Sequence, residues 1–471
     1  MIYRSIAEDL SAWKSRPHHP LVLGGLRQVG KTFIVKQFGQ DHYAHVIYID
    51  LRADQTVRSA FGNDLDVNQM VTALSARIPD AVFEPHKTLI ILDEIQDCPN
   101  ARSSLKYWDL DGRYDVICTG SFLGVKGFRQ PYERGIPVGY EEHMAMFPLT
   151  FQEFLRNYGV NRSVMDYVRE CFDQAKAVEK TVHASLRTLY LEYLLVGGMP
   201  EAVSEFLTNH DINAVRRIQQ NILRSIRDDL GRYIDKNGET KINEVLKLRA
   251  EACLDSMPAQ LSKEYKKFQY SLVNSKARST DKADALQYLA DLGLVLKSYN
   301  LREISFPLSG VKIDKEYKAF YADTGLLASQ LDTGVSLKIL NGELGAYKGA
   351  IAENMAAVSL HNSGRGLYYY RGTSGSPELD FVTELSDEPT IIECKASNLK
   401  ATSFQYVLGH PQKYGKHPAI KIADTNVGHG EGFQTYPLYY CGFLENKPAV
   451  WKLPAVDLSA LNAVGEMMNA D

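Results

Sequence analysis

Gly25-Leu-Arg-Gln-Val-Gly-Lys-Thr32 decides the fold of the first part of this chain. Glycines at 25 and 30 followed by Lys31 and Thr32 give the G-x-x-x-x-G-K-[ST] spacing of a loop that wraps phosphate oxygens. The context agrees: Leu21-Val-Leu23 reads as a strand before the loop, and Thr32–Phe38 as a helix after it. Glycines let successive backbone N–H groups turn toward one anion, and the helix N-terminus adds about half a positive charge. Gly25, Gln28, Val29, Gly30, Lys31, Thr32 and Phe33 are the expected nucleotide contacts. Lys31 is expected to reach the β- and γ-phosphates and Thr32 to bind Mg²⁺.

Four short apolar runs lie around this loop: Pro20–Leu26, His45–Leu51, Thr88–Asp93 and Asp115–Ser121. Alternating with helical stretches, they predict an α/β unit whose parallel sheet is covered on both faces. Thr88-Leu-Ile-Ile-Leu-Asp-Glu94 ends in two acids at the strand's C-terminal end, where ligands gather in such sheets. Asp93 is expected to orient Mg²⁺ and Glu94 to polarise the attacking water. The next run ends in Cys118-Thr-Gly-Ser121, which offers Thr119 and Ser121 to the γ-phosphate or the water.

Composition narrows the class. The 471 residues are 45% apolar and 23% charged, an ordinary globular mixture, and a prior of about three domains follows from the length. Lys plus Arg is 53 and Asp plus Glu is 57, so the net charge is -4 and any nucleic-acid surface must be a local patch. Apolar runs fall far short of the roughly 20 residues that span a bilayer. The start MIYRSIAEDLSAW, with acids and no long apolar core, is not expected to be a signal peptide, and six scattered cysteines predict no zinc or disulfide framework. A cytoplasmic protein without a membrane partner is expected.

The loop, Leu92-Asp-Glu-Ile-Gln96 and Thr119-Gly-Ser121 together resemble an AAA-type ATPase family of bacteria and archaea. So do Phe147-Pro-Leu-Thr-Phe-Gln-Glu-Phe154, Gly197-Gly-Met-Pro-Glu201, Ser256-Met-Pro-Ala-Gln-Leu-Ser262 and Tyr321-Ala-Asp-Thr-Gly-Leu-Leu327. The resemblance implies ATP hydrolysis, possible homo-oligomers and a C-terminal domain with a nuclease-like fold. Many members carry a Gly-Arg pair just before the Pro-Leu-Ser-Phe-like stretch. Here Pro137-Val-Gly-Tyr-Glu-Glu-His143 has no arginine, which leaves Arg129 and Arg134 as substitutes for an arginine finger.

The expected architecture is α/β. A P-loop NTPase core (1–155) precedes a helical connector (156–241), broken at Gly197-Gly198-Met-Pro200. A winged-helix-like module (242–335) follows, with helices at Ile242–Asp255, Pro258–Tyr265 and Thr280–Leu292 and a strand at Val295–Tyr299. A restriction-nuclease-like α/β domain (336–455) comes next, with a helix at Lys348–Asn362 and strands at Gly366–Arg371, Glu378–Leu385 and Thr390–Ala396, then a tail (456–471).

Glu353 on that helix, Asp380 on a strand and Glu393-Cys-Lys395 on the next follow the order of the PD-(D/E)XK nuclease superfamily. Strand alternation puts residues 393 and 395 on one face. Glu353, Asp380 and Glu393 are expected to hold a second Mg²⁺ or Mn²⁺, and Lys395 to activate water or offset phosphate charge.

Between 262 and 282 the chain has six Lys or Arg and two acids, net +4. Lys263, Lys266, Lys267, Lys276, Arg278 and Lys282 are expected to meet DNA or RNA phosphates, with Tyr265 and Phe268 stacking or packing. Two functions follow: an ATPase coupled to a nuclease-like domain on nucleic acid, or a nucleotide-dependent switch that binds a nucleic-acid or protein partner without cleaving it. Nothing in the sequence separates ATP from GTP by base recognition.

Overall fold

A computed structural model describes residues 2–62, 65–121, 139–234, 240–263, 267–273, 276–341, 346–372, 377–395 and 401–444. The first sheet is built from β1 (Leu21–Gly25), β2 (His45–Asp50), β3 (Thr88–Asp93), β4 (Asp115–Gly120) and β5 (Glu142–Met146). All its pairings are parallel, in the order β2-β3-β4-β1-β5. β4 thus lies between the loop-bearing strand and the acid-ended strand, and aligns Thr119 with Leu23. The polar-edged β5 was not expected. Exposure alternates along Glu-His-Met-Ala-Met, with His143 and Ala145 outward, as in an edge strand.

The apolar runs are near-continuous because both faces are buried. Along β3, Leu89 and Ile91 enter one core, while Ile90 and Leu92 enter a second around Phe61, Leu74 and Trp108. The first core runs on through the helical connector into the C-terminal part of the chain, ending at Leu444. The two halves therefore share one packed interior.

The connector consists of helices Phe151–Tyr158, Arg162–Asp173, Lys180–Val196, Pro200–Asn209 and Ile212–Asp229. The Gly197-Gly198 break falls where it was expected, and Pro200 opens the next helix. A short hairpin, β6 (Arg232–Ile234) with β7 (Thr240–Ile242), follows. The two expected helices around Pro258 are one, Glu244–Leu261. Its buried side, Ala250, Cys253, Leu254, Met257 and Leu261, holds the helix through the proline.

The second sheet contains β8 (Val295–Leu301), β9 (Lys312–Tyr321), β10 (Tyr368–Arg371), β11 (Glu378–Leu385), β12 (Glu388–Lys395), β13 (Ala419–Ala423), β14 (Gly428–Gly430) and β15 (Phe433–Pro437). Its order is β14-β15-β13-β12-β11-β10-β8-β9. This corrects the expectation that Val295–Tyr299 closes a separate module before residue 336. β8 pairs antiparallel with β9 and parallel with β10, so the hairpin is the edge of the C-terminal sheet. Helix Ala346–Asn362 packs across that sheet. The expected tail lies outside the described residues.

All six cysteines are free and buried. Among the described residues no helix is long and apolar enough to cross a membrane.

Candidate functional site

The phosphate loop joins β1 to helix Lys31–His42. Gly30 caps that helix at φ 92°, in the left-handed region that favours glycine. Gly25 is fixed by close approach, since a Cβ there would lie 2.1 Å from the Met146 carbonyl oxygen on β5. Lys31 is 7% exposed. Its Nζ donates to the carbonyls of Gly25 and Leu26 at 3.0 and 2.9 Å and to Ser121 Oγ at 3.3 Å. Burial pushes this ammonium down to about 8, against the upward pull of Glu94 and Asp93. The Val29 side chain is buried, so only its backbone is left to face a ligand, and Phe33 is 57% exposed on the first helical turn.

Asp93 is the hub. Its carboxylate accepts from Thr32 Oγ1 at 2.9 Å, Tyr48 OH at 2.8 Å, the Glu94 backbone N–H at 3.1 Å and the Thr119 hydroxyl. Three strands, β2, β3 and β4, and the loop helix thus meet at one carboxylate. Glu94 follows in a left-handed conformation, φ 54°. Its Oε2 accepts from Arg52 Nη2 at 3.1 Å and from the Gln96 amide, and Arg52 also donates to Asp97 at 2.7 Å. Arg129 and Arg134 lie outside the described residues.

Two supports of the loop were not read from the sequence. Arg4 is buried and donates through Nη1 to the Val29 carbonyl at 2.9 Å and through Nη2 to the Phe147 carbonyl at 2.5 Å. Its Nε pairs with Glu153 at 3.3 Å. Arg27, within the loop, forms an ion pair with Asp229 at the end of the last connector helix.

In the C-terminal sheet the structure brings together Glu353, Asp380, Glu393 and Lys395, and adds Lys318 from β9. Lys318 Nζ lies 3.0 Å from Glu353, 2.9 Å from Glu378 and 3.9 Å from Asp380. Lys395 Nζ lies 2.6 Å from Glu393 Oε1. Asp380 accepts from the Cys394 backbone N–H at 2.9 Å. Burial, then the nearby Asp380 charge, raises the Glu393 carboxyl above the usual carboxylate range, with Lys395 opposing. Among the described residues no group of three His, Cys, Asp or Glu side chains is set to hold a metal ion. The expected three-carboxylate metal site is therefore corrected: an ammonium sits among the acids.

The basic patch is also smaller than expected. Lys282 is buried and donates to the Tyr270 and Val273 carbonyls at 3.1 and 3.0 Å. Lys267 pairs with Glu316 at 2.8 Å, and Phe268 is buried. Lys276 and Arg278 stay exposed, Lys263 is half-buried, and Tyr265 and Lys266 lie outside the described residues.

The loop, the Asp93 hub and the strand order agree with one sequence comparison. Residues 17–155 match the family model described as an AAA domain. This is an AAA-type P-loop ATPase domain, and its matched segment contains the whole Asp93 hub. Residues 187–336 match a domain of unknown function (DUF8612), and residues 348–440 another (DUF4143). A search of curated proteins found no match. Among solved structures, a Walker-type ATPase of Pyrococcus abyssi is 16% identical, with 70% of this chain and 96% of that one covered, at a TM-score of 0.41. The Aeropyrum pernix ORC2 protein is 13% identical, with 75% and 95% covered, at 0.34. The Thermotoga maritima RuvB Holliday junction branch migration motor is 14% identical, with 63% and 90% covered, at 0.28. These structural likenesses are coarse.

The AAA domain is joined to the rest of the chain at its ligand-facing edge. The Gly198 backbone N–H donates to Asp323 at 2.6 Å, and the Gly198 carbonyl accepts from Leu149 at 2.7 Å. Farther along the connector, Arg187 makes a two-bond pair with Asp424 at 2.6 and 2.7 Å.

Proposed function

We propose that this chain binds ATP with Mg²⁺ at the phosphate loop, hydrolyses it, and uses the nucleotide state to switch the C-terminal sheet. The observation that carries this reading is the convergence of Thr32, Tyr48 and Thr119 on Asp93, beside Lys31. A hydroxyl and a carboxylate 2.9 Å apart are the hard oxygen donors that suit Mg²⁺, so Thr32 and Asp93 are the residues that hold it. When bound, the ion neutralises charge on the β- and γ-phosphates. Lys31 exchanges its loop carbonyls for phosphate oxygens. The backbone of Gly25, Gln28, Val29, Gly30 and Phe33 lines the phosphates, and Ser121 stands by the terminal one. Glu94 aligns the attacking water, and Arg52 positions its carboxylate.

The functional units of this proposal are the ATPase core (1–155), the connector (156–241), and a winged-helix-like module (242–335) whose strands β8 and β9 continue the sheet of a nuclease-like domain (336–455). The switch engages DNA, RNA or a protein through the last two, and the chain assembles with further copies of itself. The grouping of Glu353, Asp380, Glu393 and Lys395 favours a nuclease-like origin for the last unit. The tie between Lys395 and Glu393, at 2.6 Å, favours gripping over cleavage.

Phosphate release from ATP by the full chain with Mg²⁺ tests the core claim. Glu94→Gln is expected to lose release by 10²-fold or more, on the scale of a lost general base, while still binding ATP. Equal release by both proteins overturns it. Incubating DNA and RNA with Mn²⁺, with Lys395→Ala as control, tests the cleaving alternative.

A further inference from the structure

The acids of the C-terminal cluster follow the chain order of a metal-dependent nuclease, yet the geometry points to a different cation. We infer that the ammonium groups of Lys318 and Lys395 take the place of a divalent metal in this cluster, so that it is a metal-independent, internally paired site.

Three observations lead there. First, Lys318 is fully enclosed: its side chain is 1% exposed. Its Nζ stands 3.0 Å from Glu353 Oε1 and 2.9 Å from Glu378 Oε1, the separations of charge-assisted hydrogen bonds. Mg²⁺ takes its oxygens at about 2.0–2.1 Å, and an ion at that distance from Glu353 Oε1 would have to displace the Lys318 ammonium from it. Second, side-chain cations already partner the acids. Lys318 serves Glu353, Glu378 and Asp380, Lys395 serves Glu393, and Arg371 stands 3.6 Å from Glu378, so three cations face four carboxylates without any metal ion. Third, the lysine is built in from another segment. Lys318 stands on β9, opposite Ser298 of β8, and both strands lie outside the matched segment 348–440. The sheet edge therefore completes a charge cluster that segment 348–440 does not contain.

The inference does not depend on the nucleotide reading, and a chain that failed to bind ATP would leave it standing. Its test is Mn²⁺ uptake by nucleotide-free full-length protein, followed by electron paramagnetic resonance and by calorimetry. The wild type and Asp380→Asn are expected to give the same Mn²⁺ titration, because neither holds the ion at this cluster. Lys318→Ala is expected to lower the unfolding temperature by about 3–5 °C, and millimolar Mn²⁺ to restore part of the loss. A wild-type Mn²⁺ site that Asp380→Asn abolishes overturns the inference, as does an unchanged unfolding temperature in Lys318→Ala. Should Lys318→Ala fail to fold, the comparison of wild type with Asp380→Asn decides alone.

Discussion

Arg4 Nη1 donates to the Val29 carbonyl across 2.9 Å, which ties the N-terminal segment to the middle of the phosphate loop. The same guanidinium pairs with Glu153, which is 4% exposed, and reaches the Phe147 carbonyl. One side chain thus fixes the loop against the start of the connector. Arg4→Ala leaves the Glu153 carboxylate buried without its cation and frees the loop carbonyl. Unfolding in denaturant is expected to show a loss of about 3 kcal/mol, the scale of a broken buried pair. A fluorescent-nucleotide titration is expected to show weaker binding as well.

Lys31 separates affinity from stability. Its buried ammonium contacts two carbonyls and a hydroxyl, with no carboxylate oxygen among its hydrogen-bond partners. Deleting it removes a charge that burial disfavours. Lys31→Ala is therefore expected to leave the unfolding midpoint unchanged or slightly higher. ATP affinity measured by calorimetry is expected to fall by about 10- to 100-fold, the scale of lost charge-assisted hydrogen bonds.

What the chain discloses before folding is local. The loop, β1 to β4 and the Asp93-Glu94 pair were legible because each is one contiguous run with a fixed spacing. Thr119 was legible as a strand-end hydroxyl, but not as the donor to Asp93, since their strands meet only in the folded sheet. Arg4 and Glu153 are 149 positions apart, and no pattern links them. Lys318 sits in Lys-Ile-Asp-Lys-Glu-Tyr-Lys-Ala-Phe-Tyr, a strand whose first half is too charged to read as one. β8 was read as a strand but misassigned, because pairing partners are not written in the strand itself.

Asp323 predicts an acid-side gain in stability. Its carboxyl is fully buried and burial raises it from an ordinary 3.8 to about 6, although the Gly198, Leu326 and Gly325 amides pull it down. Below pH about 4 the group is neutral in both folded and unfolded chains. Between about 4 and 6 the unfolded chain releases its proton while the folded one keeps it, so stability falls as pH rises. Above about 6 the loss is complete, on the order of 2–3 kcal/mol. Denaturant unfolding of wild type and Asp323→Asn at pH 4 and pH 7 checks this. The wild type is expected to lose more on going to pH 7 than the variant. Equal changes in the two proteins would show that the carboxyl titrates normally.

Gly198 is where the connector, the AAA domain and the C-terminal sheet are clamped. A Cβ there would meet the Leu149 carbonyl oxygen at 2.2 Å and the Leu149 nitrogen at 2.6 Å, both backbone atoms that cannot rotate away. Gly198→Ala must therefore open the Gly198–Leu149 bond or shift the Gly198–Asp323 bond, at a cost on the order of 3 kcal/mol. Pro200, two residues on, lies beside the loop: a Cβ on Gly30 would be 3.8 Å from its Cγ. Displacing the hinge hence moves a wall of the phosphate loop, and ATP affinity is expected to fall together with the unfolding temperature. Gly334→Ala is the control, because a Cβ at that helical position meets nothing within 4 Å. It is expected to keep the wild-type affinity and to gain a few tenths of a kcal/mol from the more restricted unfolded chain. If Gly198→Ala lowers the unfolding temperature while ATP affinity stays at the wild-type value, the hinge supports the fold without touching the nucleotide site.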